Sequence, residues 1–131
     1  EYLVENGANI NIENEVGETP LFEICKNGNI KILSYLIDHN AEVNHSNHKG
    51  ETPLFKAFDH KNIMIVKYLI LSGANPDQLN RKGYTVLDKA CKYGYENLVK
   101  YLIKYGAKVN KINGDGETAL YKAIENGNEI I

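Results

Sequence analysis

The chain has 131 residues, 43% hydrophobic and 24% charged, an ordinary composition for one globular domain and one that excludes a disordered segment. Its formal net charge of −2 excludes a general polyanion binder. No run approaches the roughly 18 apolar residues that a membrane-spanning helix needs, so no membrane insertion is expected.

Taken from the start, residues 1–13 read as the end of a helix, Tyr2-Leu3-Val4, followed by an exit loop, Gly7-Ala8-Asn9-Ile10-Asn11. The same pair of blocks returns as Tyr35-Leu36-Ile37 with Asn40-Ala41-Glu42-Val43-Asn44, again from Tyr68, and again from Tyr101. Between them stands a second recurring block: Glu18-Thr19-Pro20-Leu21-Phe22, Glu51-Thr52-Pro53-Leu54-Phe55, Tyr84-Thr85-Val86-Leu87-Asp88 and Glu117-Thr118-Ala119-Leu120-Tyr121. Gly17, Gly50, Gly83 and Gly116 precede these at a strict spacing of 33 residues, which marks a repeat architecture. The domain is therefore one array: a partial repeat 1–13, full repeats 14–46, 47–79 and 80–112, and a partial repeat 113–131. The mid-repeat ends are expected to continue into a longer array.

Each full repeat opens on a polar turn, as in Asn14-Glu15-Val16-Gly17, where the Asn side chain can bond its own backbone and Gly accepts a positive φ. A short helix follows, with Thr19 and Thr52 placed as N-caps and Pro20 and Pro53 at the first helical position. In the third repeat Val86 replaces the Pro, and Thr85 with Asp88 offers a weaker capping box. This helix ends at Gly28 or Gly94, with Lys61 in that place in the middle repeat. A second helix buries Ile30, Ile32, Leu33, Leu36 and Ile37 in repeat 14–46, and Leu98, Val99, Leu102 and Ile103 in repeat 80–112. Gly73, Gly106 and Asn40 stand where a left-handed residue closes it. The last segment stops at Ile130-Ile131, where another second helix begins.

A turn, two helices and Thr-Pro-Leu followed two residues later by Ala, at this period, closely resembles the ankyrin repeat over the whole chain. The resemblance implies an all-α solenoid of stacked helix-turn-helix units joined by β-hairpin-like turns, with turn tips and first helices lining a concave face that binds another protein. The family usually has His after Thr-Pro-Leu, bonded to the Thr. Here Phe22, Phe55, Asp88 and Tyr121 occupy that position, so repeat stability should rest more on packing.

Read by position, the implied surface gathers His48, Lys49, Lys56, His60, Arg81, Lys82, Tyr84, Lys89, Lys92 and Tyr93 in the two central repeats. Toward the ends Glu15, Glu18, Asp115, Glu117 and Glu125 dilute the basic charge. Lysines and arginine would steer an acidic partner segment and the tyrosines would anchor it; the alternative is an ordinary solvated surface. No groove-reading motif appears, so no nucleic acid is expected. Tyr2, Tyr35, Tyr68 and Tyr101 read as a repeated packing position. Asn44 resembles the ankyrin asparagine that an Fe(II)- and oxoglutarate-dependent oxygenase hydroxylates, but the slot it shares with Asn11 and Asn110 is better explained by a turn-tying side chain.

No chemistry of its own is expected: neither catalytic residues, cofactor, metal site nor small-molecule substrate. His45 and His48 lack further ligands nearby in sequence. Cys25 and Cys91 share one slot two periods apart, too distant for a disulfide and expected as buried free thiols. Free cysteines, with no signal or transmembrane segment, predict an intracellular protein. The function expected is a scaffold or adaptor that binds a partner protein. The alternative is the substrate-recognition part of a larger multidomain enzyme or secreted effector.

Overall fold

The computed structural model describes residues 1–129. Ile130 and Ile131, where the sequence places the start of a further helix, lie outside the described residues. Eight helices and no strand occur among the described residues: α1 (Tyr2–Glu5), α2 (Pro20–Asn27), α3 (Ile30–Asp38), α4 (Pro53–Asp59), α5 (Ile63–Leu71), α6 (Val86–Tyr93), α7 (Glu96–Lys104) and α8 (Ala119–Glu125). The chain forms two compact units, Glu1–Ala74 and Asn75–Ile131.

The turns ahead of the first helices are hairpin-like, and the Asn that opens each one holds it closed. Asn14, Asn47, Asn80 and Asn113 each donate a backbone N–H to the carbonyl four residues on, at 2.8–3.0 Å. Their side-chain oxygens accept from the backbone N–H groups two and four residues on, as Asn47 does from Lys49 and Glu51 at 2.9 and 3.0 Å. One asparagine thus satisfies three backbone groups that a tight turn would otherwise leave to water. At the tip, Gly83 has φ +80°, and a Cβ there would stand 2.4 Å from the backbone of Gly114. That closeness lets Gly114 N–H reach the Gly83 carbonyl at 2.7 Å, linking successive hairpins of the second unit.

In the first unit α2 lies against α4 and each first helix against its own second helix, α3 or α5. Leu21, Phe22, Cys25, Leu33, Leu54, Phe55, Ile65, Val66 and Leu69 fill the space between them and are 0–1% exposed. Burying one such side chain is worth about 1.5–3 kcal/mol, far more than the intrinsic propensity of helices only seven to nine residues long. The second unit repeats the plan with α6 against α7 and α8, around Val86, Leu87, Ala90 and Leu102.

Helix ends follow the expected slots. Gly28 and Gly94 close α2 and α6 in the left-handed region, and Lys61 adopts φ +58° in the equivalent place. Asn40, at φ +66°, stands in for the glycines at 73 and 106. Two expectations about burial need correction. Ile30 and Ile32 are 37% and 45% exposed, because only the four-residue α1 precedes α3 as a second helix. Ile103 is 44% exposed, since no second helix follows α7 among the described residues.

The helix starts differ more than their sequences suggest. Thr19 and Thr52 occupy the N-cap position but make no side-chain cap bond, and their hydroxyls are buried without a hydrogen-bond partner among the described residues. Thr85 does the opposite. Its hydroxyl accepts from the Asp88 N–H at 3.1 Å, and its own N–H donates to Asp88 Oδ2 at 2.8 Å. The capping box expected to be the weaker device is therefore complete.

Candidate partner-binding surface

The structure divides the ten basic and aromatic candidates into those already engaged within the chain and those held out to solvent. In the first unit Lys56 on α4 reaches back to Glu18 at 2.8 Å, and both side chains are largely covered, 24% and 18% exposed. Glu18 also accepts from Asn47 Nδ2 at 3.2 Å. Burial acts to raise the Glu18 carboxyl, but the bonds from Lys56 and Asn47 and the charges of Lys56 and Lys49 outweigh it and hold it below the ordinary value. Lys56 is thus a clasp between successive repeats. His48, Lys49 and His60 are exposed, with the His48 ring resting against Gly17.

In the second unit the same clasp slot is filled by Lys122 on α8, again 38 residues after its partner, here Tyr84. Its ammonium lies 5.7 Å from the centre of the Tyr84 ring. It is also ringed by Glu117 at 2.6 Å, Glu125 at 3.2 Å and Asp115 at 3.5 Å. The Glu117 bond, with Glu125 beside it, holds the lysine well above its ordinary value against the opposing effect of burial. Tyr84 donates its hydroxyl to Asp115, and that bond raises the phenol and lowers the carboxyl. Tyr84 is consequently committed inside the chain. Lys89 also has an interaction of its own. Arg81, Lys82 and Lys92 are exposed and form no ion pair among the described residues; nor does Lys49 in the first unit. Tyr93 is 56% exposed, its ring 6.0 Å from that of Tyr95.

Sequence reading placed Asp115, Glu117 and Glu125 only as an edge that dilutes basic charge, and gave Lys122 no part in it. Their role as one buried cation in a carboxylate nest went unseen. The offset of 38 residues that joins Glu18 to Lys56 also joins Tyr84 to Lys122, one period plus the shift that stacking adds, and could have brought Lys122 to notice.

His45 is similarly absorbed by the fold. Its ring nitrogens lie 2.8 Å from Glu13, 3.1 Å from the Gly17 carbonyl and 3.0 Å from Glu42, with the edge of Phe22 against it. It fastens an exit loop to the preceding hairpin. Asn44 Nδ2 donates to the Gly73 carbonyl at 3.0 Å, and Asn11 does the same to Asn40 at 3.0 Å. Asp77 fills that slot in the second unit and accepts from the Lys108 N–H at 2.8 Å. The loop slot ties consecutive exit loops together. Tyr35 and Tyr101 are half-buried, stacked on His39 and Tyr105 four residues on, whereas Tyr2 is 77% exposed.

Burial pushes the thiols of Cys25 and Cys91 up to about 12 and about 11, so both are free and unreactive. Among the described residues no group of three or more His, Cys, Asp or Glu is placed to hold a metal ion. No helix of the described residues is long and apolar enough to cross a membrane.

A family model for ankyrin repeats (3 copies) matches residues 1–80 and 61–131. No curated protein matches the chain.

Proposed function

Because the chain belongs to the ankyrin-repeat family, an all-α repeat solenoid whose members generally serve as protein–protein interaction modules, we infer that it is a non-catalytic scaffold or adaptor that holds a partner through its turn tips and first helices. The observation that carries this reading is the division of the basic side chains. Lys56 and Lys122 are fixed in framework contacts, while Lys49, Arg81, Lys82 and Lys92 remain exposed at tips and on the first helix α6 without ion pairs among the described residues. Repeats that fasten themselves with some lysines and leave others in water have basic charge to spend on an acidic partner segment, steered by charge and anchored by Tyr93. His48 and His60 add exposed imidazoles beside Lys49 and at the C-cap of α4. An intracellular setting is the one in which two free thiols are ordinary.

The test is charge reversal. The triple variant K49E/K82E/K92E should stay folded, its midpoint lowered only slightly by carboxylates set near Glu18 and Asp115, and lose partner recovery in a pull-down from native lysate. Undiminished recovery would overturn the acidic-partner reading.

A further inference from the structure

From one full repeat to the next, the second helix and its exit loop change charge. Residues 30–46 hold Lys31 against Asp38 and Glu42, a charge of −1, and residues 63–79 hold Lys67 against Asp77, a charge of 0. Residues 96–112 hold Lys100, Lys104, Lys108 and Lys111 against Glu96, a charge of +3. One pair of slots carries the change most sharply. In the first full repeat the His45 N–H donates to the Glu42 carbonyl at 3.3 Å, and the two side chains meet at 3.0 Å. In the third, the Lys111 N–H donates to the Lys108 carbonyl at 3.2 Å, so the same turn carries two ammonium groups. Like charges on one turn repel unless an anion stands between them. The chain gives them none. Lys100 takes Glu96, and Asp77 accepts the backbone N–H of Lys108 at 2.8 Å. Among the described residues no carboxylate pairs with the ammonium of Lys104, Lys108 or Lys111. Lys104 ends α7 with its ammonium 5.4 Å from the centre of the Tyr105 ring.

We propose that the Lys104–Lys108–Lys111 edge of the third full repeat docks peripherally on an anionic membrane surface, whose lipid headgroups supply the missing counter-ions. Two features select a membrane over an acidic protein. The cations are all lysine, point charges that follow charge density and lack the planar fork with which arginine grips a carboxylate. The same stretch also holds Ile103 44%, Tyr105 40%, Val109 45% and Ile112 57% exposed. Such side chains rest in the interfacial layer while the lysine stems reach the headgroups. This edge uses none of the tip residues, and its failure would leave the tip reading intact.

The test is sedimentation of the whole chain with vesicles of phosphatidylcholine, alone or with about 30% phosphatidylserine. The chain should bind the anionic vesicles only, and binding should fall as salt rises from about 0.15 M to about 1 M. The variant K104Q/K108N/K111Q takes its last two residues from Asn75 and Gln78 of the middle repeat, so it should stay folded. It should lose about fivefold in partitioning per lysine, on the order of a hundredfold in all. K104D/K108E, which copies Asp38 and Glu42, serves as the second variant and should lose binding as well. K49E/K82E/K92E should bind vesicles as the wild type does. Absent binding, equal binding to both kinds of vesicle, or indifference to both edge variants overturns the proposal. So does loss of vesicle binding in K49E/K82E/K92E, or capture of poly-glutamate in place of vesicles.

Discussion

The two compact units build the same two joints from different chemistry. At the start of the first helix, the unit with α2 and α4 relies on Pro20 and Pro53 and on buried Phe22 and Phe55, leaving the Thr19 and Thr52 hydroxyls without partners among the described residues. The unit with α6 closes the same start with hydrogen bonds between Thr85 and Asp88. At the clasp the chemistry changes again, from an ion pair, Glu18 with Lys56, to a lysine over a ring, Lys122 with Tyr84. A framework slot is thus defined by what it joins. A basic or aromatic residue in such a slot says little about binding.

The comparison can be broken by substitution at matched slots, read from urea unfolding. Phe55→Ala should cost about 3–5 kcal/mol, the usual range for emptying a fully buried aromatic site. Its slot-mate Asp88→Ala should cost less, about 1–3 kcal/mol, because the Thr85 N–H and hydroxyl lose their acceptor. The reverse order would mean that packing and hydrogen bonding are assigned to the wrong units. Smaller and sharper is the pair of near-isosteres. Thr85→Val should cost about 1–2 kcal/mol through loss of the cap. Thr52→Val should be neutral or stabilise by up to about 1 kcal/mol, since it removes a buried hydroxyl that has nothing to bond. Equal losses from the two would contradict the difference in capping.

The smallest effect is in pH, and its sign differs between the units. Glu18 is held below its ordinary value, so its contribution is present at neutral pH and is lost as pH falls through and below the ordinary carboxylate range. Asp88 is raised, mainly by burial and against the Thr85 bonds. The folded state therefore binds its proton more tightly than the unfolded state, and its contribution declines as pH rises from the ordinary aspartate value through the raised one. Unfolding titrations of Glu18→Gln and Asp88→Asn should each flatten one of these opposite slopes. A common sign would refute the assignment.

Most of the fold was legible because it depends on local backbone demands that repeat. Gly28, Gly94 and Lys61 were read as ends of the first helices, and Gly73, Gly106 and Asn40 as left-handed positions, from their slots alone, and the turn-opening asparagines from the geometry their side chains can reach. The exposure of Ile32 and Ile103 was not legible, since an apolar slot shows which face would be buried and not whether a neighbouring helix arrives to cover it. The engagement of Lys56 and Tyr84 within the chain was not legible for a related reason. Their partners lie more than a period away in sequence, and only stacking brings Glu18 and Lys122 to them. The Thr85–Asp88 capping box was legible from its spacing, but its completeness beside the unbonded Thr19 and Thr52 was not.

The central claim is that lysines of the clasp slot hold the repeats together while the exposed lysines at the tips and on α6 are the ones proposed to hold the partner. The most direct measurement sets Lys56→Met beside K49E/K82E/K92E, scoring unfolding midpoint and partner recovery for both proteins. The account predicts that Lys56→Met lowers the midpoint and keeps the partner, and that the triple variant shifts the midpoint less than Lys56→Met does and loses the partner. Loss of the partner from Lys56→Met at an unchanged midpoint would contradict it.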